Sequence, residues 1–522
     1  MLFVDPFFLL VFLPLTLGAF AFAGKGGGRG AALATLLIAS LIFYFRFEIL
    51  FGFILLASIL INFAVAVALL RLKDCRITWR VWAFALGLTY NFGTLISFKY
   101  LGFFAQGFGD ERLALADLTI PMGISFYTFH QAVFLMDAYS RQQTVLVYFE
   151  GVTGNRVDLA RALTRYAAFI CFFPQLVIGP IVYLSEFAPS VLSRNFGKLR
   201  RVDLEVGITL VCIGLFKKLV IADRLAPLSA STFDASAAGA PLSSFASWLG
   251  VLAYYAQLYF DFSGYSDIAV GLARLFSIPL PINFDSPLRA SGIADFYKRW
   301  HITLTRVIAR FIFTPFSLWG ARRSVDRSLH DPIRLLLTSW LPLFLNFVVI
   351  ALWHGAKGTF VLFGVIHGLW FIGETEMKRS KSWRAWHSRV GALRVRRVGQ
   401  LLTCLPLMLT FALFGSRDLV GFGNLLIALL GQGQAGGAVS PSLRDLLWIV
   451  AAFTIIWLFP NSYELLSSYR PGIRTWSNPS TTPTFLRLRW RPTLPWAAFL
   501  ALLIATSFWY MGAKIPFLYQ GF

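Results

Sequence analysis

Residues 48–70 read EILFGFILLASILINFAVAVALL, a run whose one charged side chain is the glutamate at its start. About 20 consecutive apolar residues allow an α-helix to cross the roughly 30 Å hydrocarbon core of a bilayer. The run is long enough to do so. It lacks the apolar–polar alternation that is typical of strands in an outer-membrane barrel. We therefore predict that residues 48–70 form a transmembrane helix.

Similar apolar runs recur along the 522-residue chain, which is 57% hydrophobic and only 14% charged. Because soluble globular proteins carry about 25% charged residues, this chain has too little polar surface to cover a soluble globule. We predict an all-α, polytopic integral membrane protein with about 11–13 transmembrane helices. The predicted spans lie near residues 3–23, 31–46, 48–70, 82–104, 160–182, 205–222, 244–262, 335–353, 358–374, 399–415, 444–459 and 494–512.

The net charge is +22, and basic side chains cluster between apolar runs near residues 71–80, 378–397 and 487–491. In a soluble protein such a charge would indicate nucleic-acid binding. In a membrane protein, basic clusters mark cytoplasmic loops and attract anionic lipids. We therefore expect the lipid bilayer as a partner and no nucleic acid. No cysteine or histidine pattern has metal-ligand spacing, so we predict no metal site.

Residues 283–334 differ from the predicted spans because they mix charged residues with bulky apolar ones. Trp300, Leu304 and Ile308 recur at helical spacing opposite charged positions, which predicts an amphipathic or re-entrant segment. Non-helical backbone at membrane depth is tolerated only where protein or a water-filled cavity surrounds it. The segment is therefore a candidate location for a functional site. The stretch 119–139 is apolar with polar interruptions, and predicts either a span or a shorter buried helix.

Two histidines stand next to apolar runs, where ionisable side chains are costly and are candidates for function. His354, in the sequence LWHG, could act as a general base or as a structural histidine bonded to a backbone carbonyl. His301, in KRWH, could orient a base or bind an anion together with Lys298 and Arg299. The alternative for KRWH is an interfacial helix whose basic side chains reach lipid headgroups.

The stretch YYAQLYFDFSGYSD (residues 254–267) holds two carboxylates in apolar surroundings. Asp261 and Tyr265 share one helix face with Gln257, because the three recur at i, i+4. They are compatible either with a polar pocket or with a hydrogen-bonded seam between helices.

In a separate stretch, Pro174 and Gly179 indicate a broken helix, which could line a tunnel or form a simple kink.

The motifs, in their order, resemble the membrane-bound O-acyltransferase family, and most closely its bacterial branch that acylates polysaccharides such as alginate. The matching stretches are MLFVDPFFLLVFLPL, PMGISFYTFHQ, CFFPQLVIGPIVYLSEF, GLFKKLVIADRLA, YFDFSGYSDIAVGLARLF, LPINFDSPLRASGIADFYKRWHITLTR and ALWHGAKGTFVLFGVIHG. They cover residues 1–374. The remaining chain matches only in hydropathy and in its closing segment, IPFLYQGF.

The resemblance implies a multi-helix fold around a central tunnel. In that fold His354 of the WHG motif is catalytic, and His301 of the RWH motif lies close by and supports the reaction. As residues that line the tunnel and bind substrate we predict Asp261, Tyr265, Asn283, Arg299, Trp300 and Trp353. We expect one membrane domain over residues 1–522, with a catalytic region over 1–374 and C-terminal helices and basic loops over 375–522.

The implied reaction moves an acyl group, acetyl by resemblance, from a cytoplasmic thioester donor such as acetyl-CoA toward hydroxyls of a cell-surface or exported polysaccharide. No bound cofactor is expected. The expected location is the bacterial inner membrane, and a separate periplasmic acyltransferase is the expected partner. A transporter or flippase for a polysaccharide precursor is one alternative, and a non-catalytic scaffold of an exopolysaccharide assembly is another.

One stretch departs from the family pattern. Val307, Ala309 and Arg310 stand where relatives usually have Trp, Arg and Asp. An acidic group is thus replaced by a basic one near the expected site, which bears on the substrate or partner more than on the reaction class.

Overall fold

The computed structural model describes residues 2–72, 77–108, 120–153, 158–433, 437–475, 486, 488–512 and 517–518. Within these residues the chain forms helices and no strand, and one isolated bridge joins Pro281 to Ile473. The predicted all-α membrane class is therefore confirmed. Lys73, Arg76 and Arg487 of the predicted basic loops lie outside the described residues, as does most of the closing segment.

Seven helices of the described chain are long and apolar enough to cross a membrane. They are Phe8–Gly26, Gly28–Phe45, Ile49–Arg71, Ile77–Tyr100, Asp331–His354, Gly358–Arg379 and Ala392–Gly415. Two shorter apolar helices are Leu419–Gln432 and Leu494–Trp509. The protein is therefore multi-pass. By length and composition the count is lower than the predicted 11–13, because other apolar runs form helices that are buried, short or broken.

The centre of the bundle is the helix Ser244–Leu275, which is buried along nearly its whole length. It packs against a helical stretch that runs over Arg201–Leu215 and Phe216–Ala222 into Asp223–Ala237. Small residues allow this close approach: a Cβ on Gly214 would lie 2.6 Å from the Gly264 carbonyl oxygen. The predicted spans 205–222 and 244–262 thus lie inside the protein.

The prediction of one continuous span over residues 160–182 is wrong, whereas the predicted helix break is confirmed. The helix Leu159–Cys171 is followed by a single turn, Phe173–Leu176, and then by non-helical backbone. A Cβ on Gly179 would lie 2.4 Å from the Pro174 carbonyl oxygen, so this turn requires glycine. Side chains from elsewhere satisfy the freed backbone: the Val182 N–H donates to His130 Nε2 at 2.9 Å.

The segment after the central helix is a buried, largely irregular chain rather than a surface amphipathic helix. It contains the short helices Pro287–Arg289 and Ile293–Tyr297 and reaches a regular helix only at Ile302. His301 precedes that helix with a φ of +43°, in the left-handed region. Residues 283–308 are mostly buried, which corresponds to the re-entrant alternative of the prediction, in which irregular backbone at membrane depth is surrounded by protein. The following helix Ala309–Phe313 is half-buried and Thr314–Asp326 is largely exposed, so the second half of the predicted segment 283–334 is not re-entrant.

The stretch 119–139, which is apolar with polar interruptions, contains the helix Ile124–Tyr139, whose side chains are almost all buried. It is the shorter buried helix of the two predicted alternatives. The remaining helices are Gln143–Tyr148, Glu150–Thr153, Leu184–Leu192, Ile302–Ile308, Ala309–Phe313, Thr314–Asp326, Lys381–Val390, Leu443–Leu458, Ser462–Leu465 and Ser467–Tyr469.

Candidate active site

His354 is the last residue of the helix Leu341–His354. The final carbonyl groups of a helix have no hydrogen-bond partner within that helix. Here the membrane span Ile77–Tyr100 supplies two donors to them. Lys99 Nζ donates to the Trp353 carbonyl oxygen at 2.6 Å, and the Tyr100 hydroxyl donates to that of Leu352. A cation at a helix C-terminus also interacts favourably with the helix dipole. These contacts fix the turn from which the His354 imidazole projects.

His301 is oriented by Asn283, which is fully buried. Asn283 Oδ1 lies 3.1 Å from the backbone N of Thr303, 2.9 Å from Thr303 Oγ1 and 3.2 Å from His301 Nδ1. A backbone N–H can only donate, so the Asn283 atom is an acceptor. His301 Nδ1 therefore carries the proton of the neutral imidazole, and Nε2 is its basic nitrogen.

The two histidines line the same small cavity, of about 40 Å³. Its lining residues are Leu258, Phe262, Tyr297, Trp300, His301, Leu304, Thr305, Ile350, His354, Phe363, Phe411 and Phe414. Trp353 bridges the histidines, with ring centroids 6.1 Å from His301 and 4.8 Å from His354. The structure thus brings together His301, His354, Trp300 and Trp353 among the predicted site residues.

A second cavity, of about 1080 Å³, lies beside the first. Its charged lining comprises six lysine and arginine side chains against three carboxylates: Lys298, Arg299, Lys378, Arg384, Arg396 and Arg474 against Asp285, Asp295 and Glu374. Three tryptophans, Trp370, Trp383 and Trp386, and His387 also line it. The cavity therefore combines an excess of positive charge with aromatic surface.

Residues 297–302 form the wall between the two cavities. Lys298, Arg299 and Ile302 line the large cavity, whereas Tyr297, Trp300 and His301 line the small one. Arg299 is held by Asp295, whose carboxylate accepts from its Nε at 2.7 Å. Burial raises the pKa of Asp295, but Arg299 and the hydrogen bonds from Ser291 outweigh burial and keep that pKa below its usual value.

Asp261 and Tyr265 line neither cavity. The Asp261 carboxylate lies 2.6 Å from Lys218 Nζ, which also pairs with Asp223 at 2.8 Å. Lys218 lies 5.8 Å from the centroid of the Tyr265 ring. These residues therefore form a polar seam between helices. This is one of the two alternatives predicted from the sequence, the other being a polar pocket. Asp261 also accepts from the backbone N–H of Leu518, at 2.9 Å, within the closing segment IPFLYQGF.

The sequence model of the membrane-bound O-acyltransferase family matches residues 115–382, which include both histidines and the wall between the cavities. The chain belongs to this family. It is accordingly an acyltransferase, which favours the predicted enzyme over the transporter and scaffold alternatives.

Named relatives agree with this assignment. A peptidoglycan O-acetyltransferase from Helicobacter pylori is 36% identical over 71% of this chain and 69% of its own length. A probable alginate O-acetylase from Pseudomonas putida is 29% identical over the full length of both chains. A teichoic acid D-alanyltransferase from Bacillus subtilis is 26% identical over 48% of this chain and 57% of its own length.

The departure from the family pattern is compensated within this O-acyltransferase. Arg310 forms an ion pair with Asp137, and its guanidinium lies 5.2 Å from the centroid of the Tyr183 ring. Val307 is fully buried. The reversed charge at position 310 is thus neutralised by the chain itself and is not presented to the small cavity.

Residues that the sequence did not single out complete the site. Tyr297 lies immediately before the KRWH motif but was not considered, and Lys99 lies inside an apolar run, where its charge was the available signal. Phe411 and Phe414 come from the C-terminal region, which therefore contributes to the wall around the histidines. Among the described residues, no group of three or more His, Cys, Asp or Glu side chains could hold a metal ion.

Proposed function

We propose that this membrane O-acyltransferase moves an acetyl group from a cytoplasmic thioester donor to hydroxyls of a cell-surface or exported polysaccharide. One observation supports it above others. A large basic cavity and a small cavity with two histidines lie on opposite sides of residues 297–302. This arrangement suits a donor that binds on one side of the wall and an acyl group that reacts on the other.

The distribution of charge supports an orientation in the bacterial inner membrane. Lys378, Arg384 and Arg396 line the large cavity and belong to the basic cluster 378–397. The positive-inside rule assigns such a cluster to the cytoplasm. The helix Gly358–Arg379 ends in this cluster, and its other end begins four residues after His354. His354 would accordingly face the opposite half of the membrane.

The two cavities also fit the parts of an acetyl-CoA donor. Phosphates bind to arginine and lysine side chains, and an adenine ring can stack on tryptophan, so the large cavity suits the nucleotide. A cavity needs a volume of roughly 10–15 Å³ to hold one water molecule. At about 40 Å³ the small cavity would hold a group of two or three heavy atoms, the size of an acetyl group.

In the proposed reaction His354 is the general base. It takes the proton of the acceptor hydroxyl while that oxygen attacks the thioester carbonyl, and a tetrahedral intermediate forms. The carbon–sulfur bond then breaks, and the leaving thiolate takes the proton from the His354 imidazolium. His301, oriented by Asn283, assists through its Nε2 nitrogen. The fixed position of both rings supplies the proximity that such a proton transfer requires.

The acceptor class follows from the names of the relatives, which act on peptidoglycan, alginate or teichoic acid. All three are polymers with groups that can be acylated. We therefore expect a polymer acceptor, reached directly or through a separate periplasmic acyltransferase that completes the transfer.

The test is acyl transfer from radiolabelled acetyl-CoA in membranes that contain wild-type, His354→Ala or His330→Ala protein. His330 is exposed and lines neither cavity, so its variant is the matched control. We expect His354→Ala to lose roughly 10²–10⁴-fold in rate, the usual contribution of a positioned base, and His330→Ala to match the wild type. Equal labelling by wild type and His354→Ala would exclude His354 as the base.

A further inference from the structure

Tyr297 and His367 form a buried pair at the edge of the small cavity. The Tyr297 hydroxyl lies 2.7 Å from His367 Nδ1. His367 is fully buried and stacks on Phe363 with ring centroids 3.9 Å apart. Its Nε2 has no hydrogen-bond partner among the described residues. Tyr297 lines the cavity that holds His301 and His354, and His367 is not among the residues that line it.

The proposed acyl transfer needs a hydrogen-bond donor that the two catalytic histidines do not supply. As the thioester carbonyl is attacked, negative charge develops on its oxygen, and a donor in place before the reaction stabilises that charge. His354 accepts a proton in this step. His301 Nε2 is an acceptor, because Nδ1 donates to Asn283. The Thr305 hydroxyl donates to the carbonyl oxygen of His301, at 3.3 Å.

We infer that Tyr297 is a further catalytic residue, whose hydroxyl donates a hydrogen bond to the oxygen of the reacting acyl carbonyl. His367 is its positioning residue: its Nδ1–H donates to the Tyr297 oxygen and leaves the phenolic hydrogen for the cavity. In this tautomer the only N–H of His367 is at Nδ1, and it has Tyr297 as its acceptor. Nε2 carries no proton, so it needs no acceptor among the surrounding aromatic rings. The inference rests on the proposed function.

The packing around Tyr297 supports a fixed donor. Its ring contacts Phe347 at 4.7 Å and Phe296 at 5.3 Å between centroids, and it is 6% exposed. Replacement by phenylalanine removes only the hydroxyl and keeps these contacts. Because the variant also leaves the His367 N–H without its acceptor, its rate is compared per folded molecule, well below its unfolding midpoint.

The experiment compares kcat and the donor KM of Tyr297→Phe with those of Tyr166→Phe, a buried tyrosine that packs on Phe134 away from both cavities. Removal of one donor to a developing oxyanion lowers kcat by roughly 10²–10³-fold. We expect that loss in Tyr297→Phe with the donor KM unchanged, and no loss in Tyr166→Phe. A kcat of Tyr297→Phe within twofold of the wild type would overturn the inference.

Variants of His367 test the positioning role. The amide of His367→Asn can donate to Tyr297 in place of Nδ1–H and should retain most of the rate, whereas His367→Leu should lose it. If His367 acts only through Tyr297, adding His367→Leu to Tyr297→Phe causes no further loss. Additive losses would overturn this role, and a loss in Trp300→Phe but not in Tyr297→Phe would assign the donor to the Trp300 indole.

Failure of this inference is distinguishable from failure of the proposed function. The inference fails alone if wild type is active, His354→Ala is inactive and Tyr297→Phe is fully active. The proposed function fails if His354→Ala retains the wild-type rate, whatever the Tyr297 variants do.

Discussion

Asn283 provides the sharpest test of how the site is built. Its Oδ1 is the acceptor for three buried donors, two from Thr303 and one from His301. Substitution by leucine keeps the approximate shape of the side chain and removes the acceptor. The Thr303 hydroxyl can rotate to another acceptor, but the Thr303 N–H and the His301 Nδ1–H cannot. Two fixed donors are then left buried and unsatisfied.

The expected loss of stability follows from those two donors. Each buried donor that loses its acceptor costs about 1–3 kcal/mol, so Asn283→Leu should lose about 2–6 kcal/mol of unfolding free energy. Activity should fall further than the folded fraction does, because the orientation of the His301 ring is then no longer fixed. We expect the rate per folded molecule to drop by about 10–100-fold, by analogy with the loss when the partner that orients a metal-ligating histidine is removed.

The assay pairs thermal unfolding of the purified protein in detergent with acyl transfer measured well below the unfolding midpoint. Asn283→Asp is the matched control, since its carboxylate keeps an acceptor at the same place and should retain more stability than leucine. The reasoning is refuted if Asn283→Leu unfolds at the wild-type temperature and turns over at the wild-type rate. It is also refuted if aspartate and leucine are equally damaging to stability.

Three further predictions use other contacts. Asp137→Asn should lower the free energy of unfolding by about 1–3 kcal/mol. This loss is smaller than that of a broken, fully buried ion pair, because the Arg310 side chain is 26% exposed. In thermal unfolding, the Asp137→Leu/Arg310→Met double variant, which removes both charges, should be close to the wild type. Lys298→Gln should raise the donor KM severalfold at unchanged kcat, an effect that high salt should diminish in initial-rate measurements. Lys99→Met should lower kcat about tenfold by releasing the turn at His354, and a wild-type kcat would contradict this.

The fold and part of the site could be predicted because they depend on local patterns. The run 48–70 became the helix Ile49–Arg71, since its length and apolarity alone suffice for a span. His301 and His354 were assigned from their motifs, and they line the same cavity. Hydropathy failed at residues 160–182, because an average over a window does not register that Pro174 and its neighbours interrupt a helix.

Spacing could not say which neighbour a helix face meets. Asp261 and Tyr265 share a face, as predicted, but that face meets Lys218 from another helix rather than a tunnel. A carboxylate that lines a pocket and one that pairs with a buried lysine have the same pattern in their own helix. Tyr297 was missed for the same reason, since its partner His367 lies 70 residues further along the chain.

The residues of the KRWH motif line two different cavities because their backbone is irregular. In a helix, Lys298 and His301 at i, i+3 would share a face. Instead the regular helix begins only at Ile302, so consecutive side chains diverge, and Lys298 faces the basic cavity while His301 faces the histidine cavity. In the proposed function, this stretch of chain would separate donor binding from chemistry. Substitutions on its two sides should divide accordingly, changing KM on the Lys298 side and kcat on the His301 side.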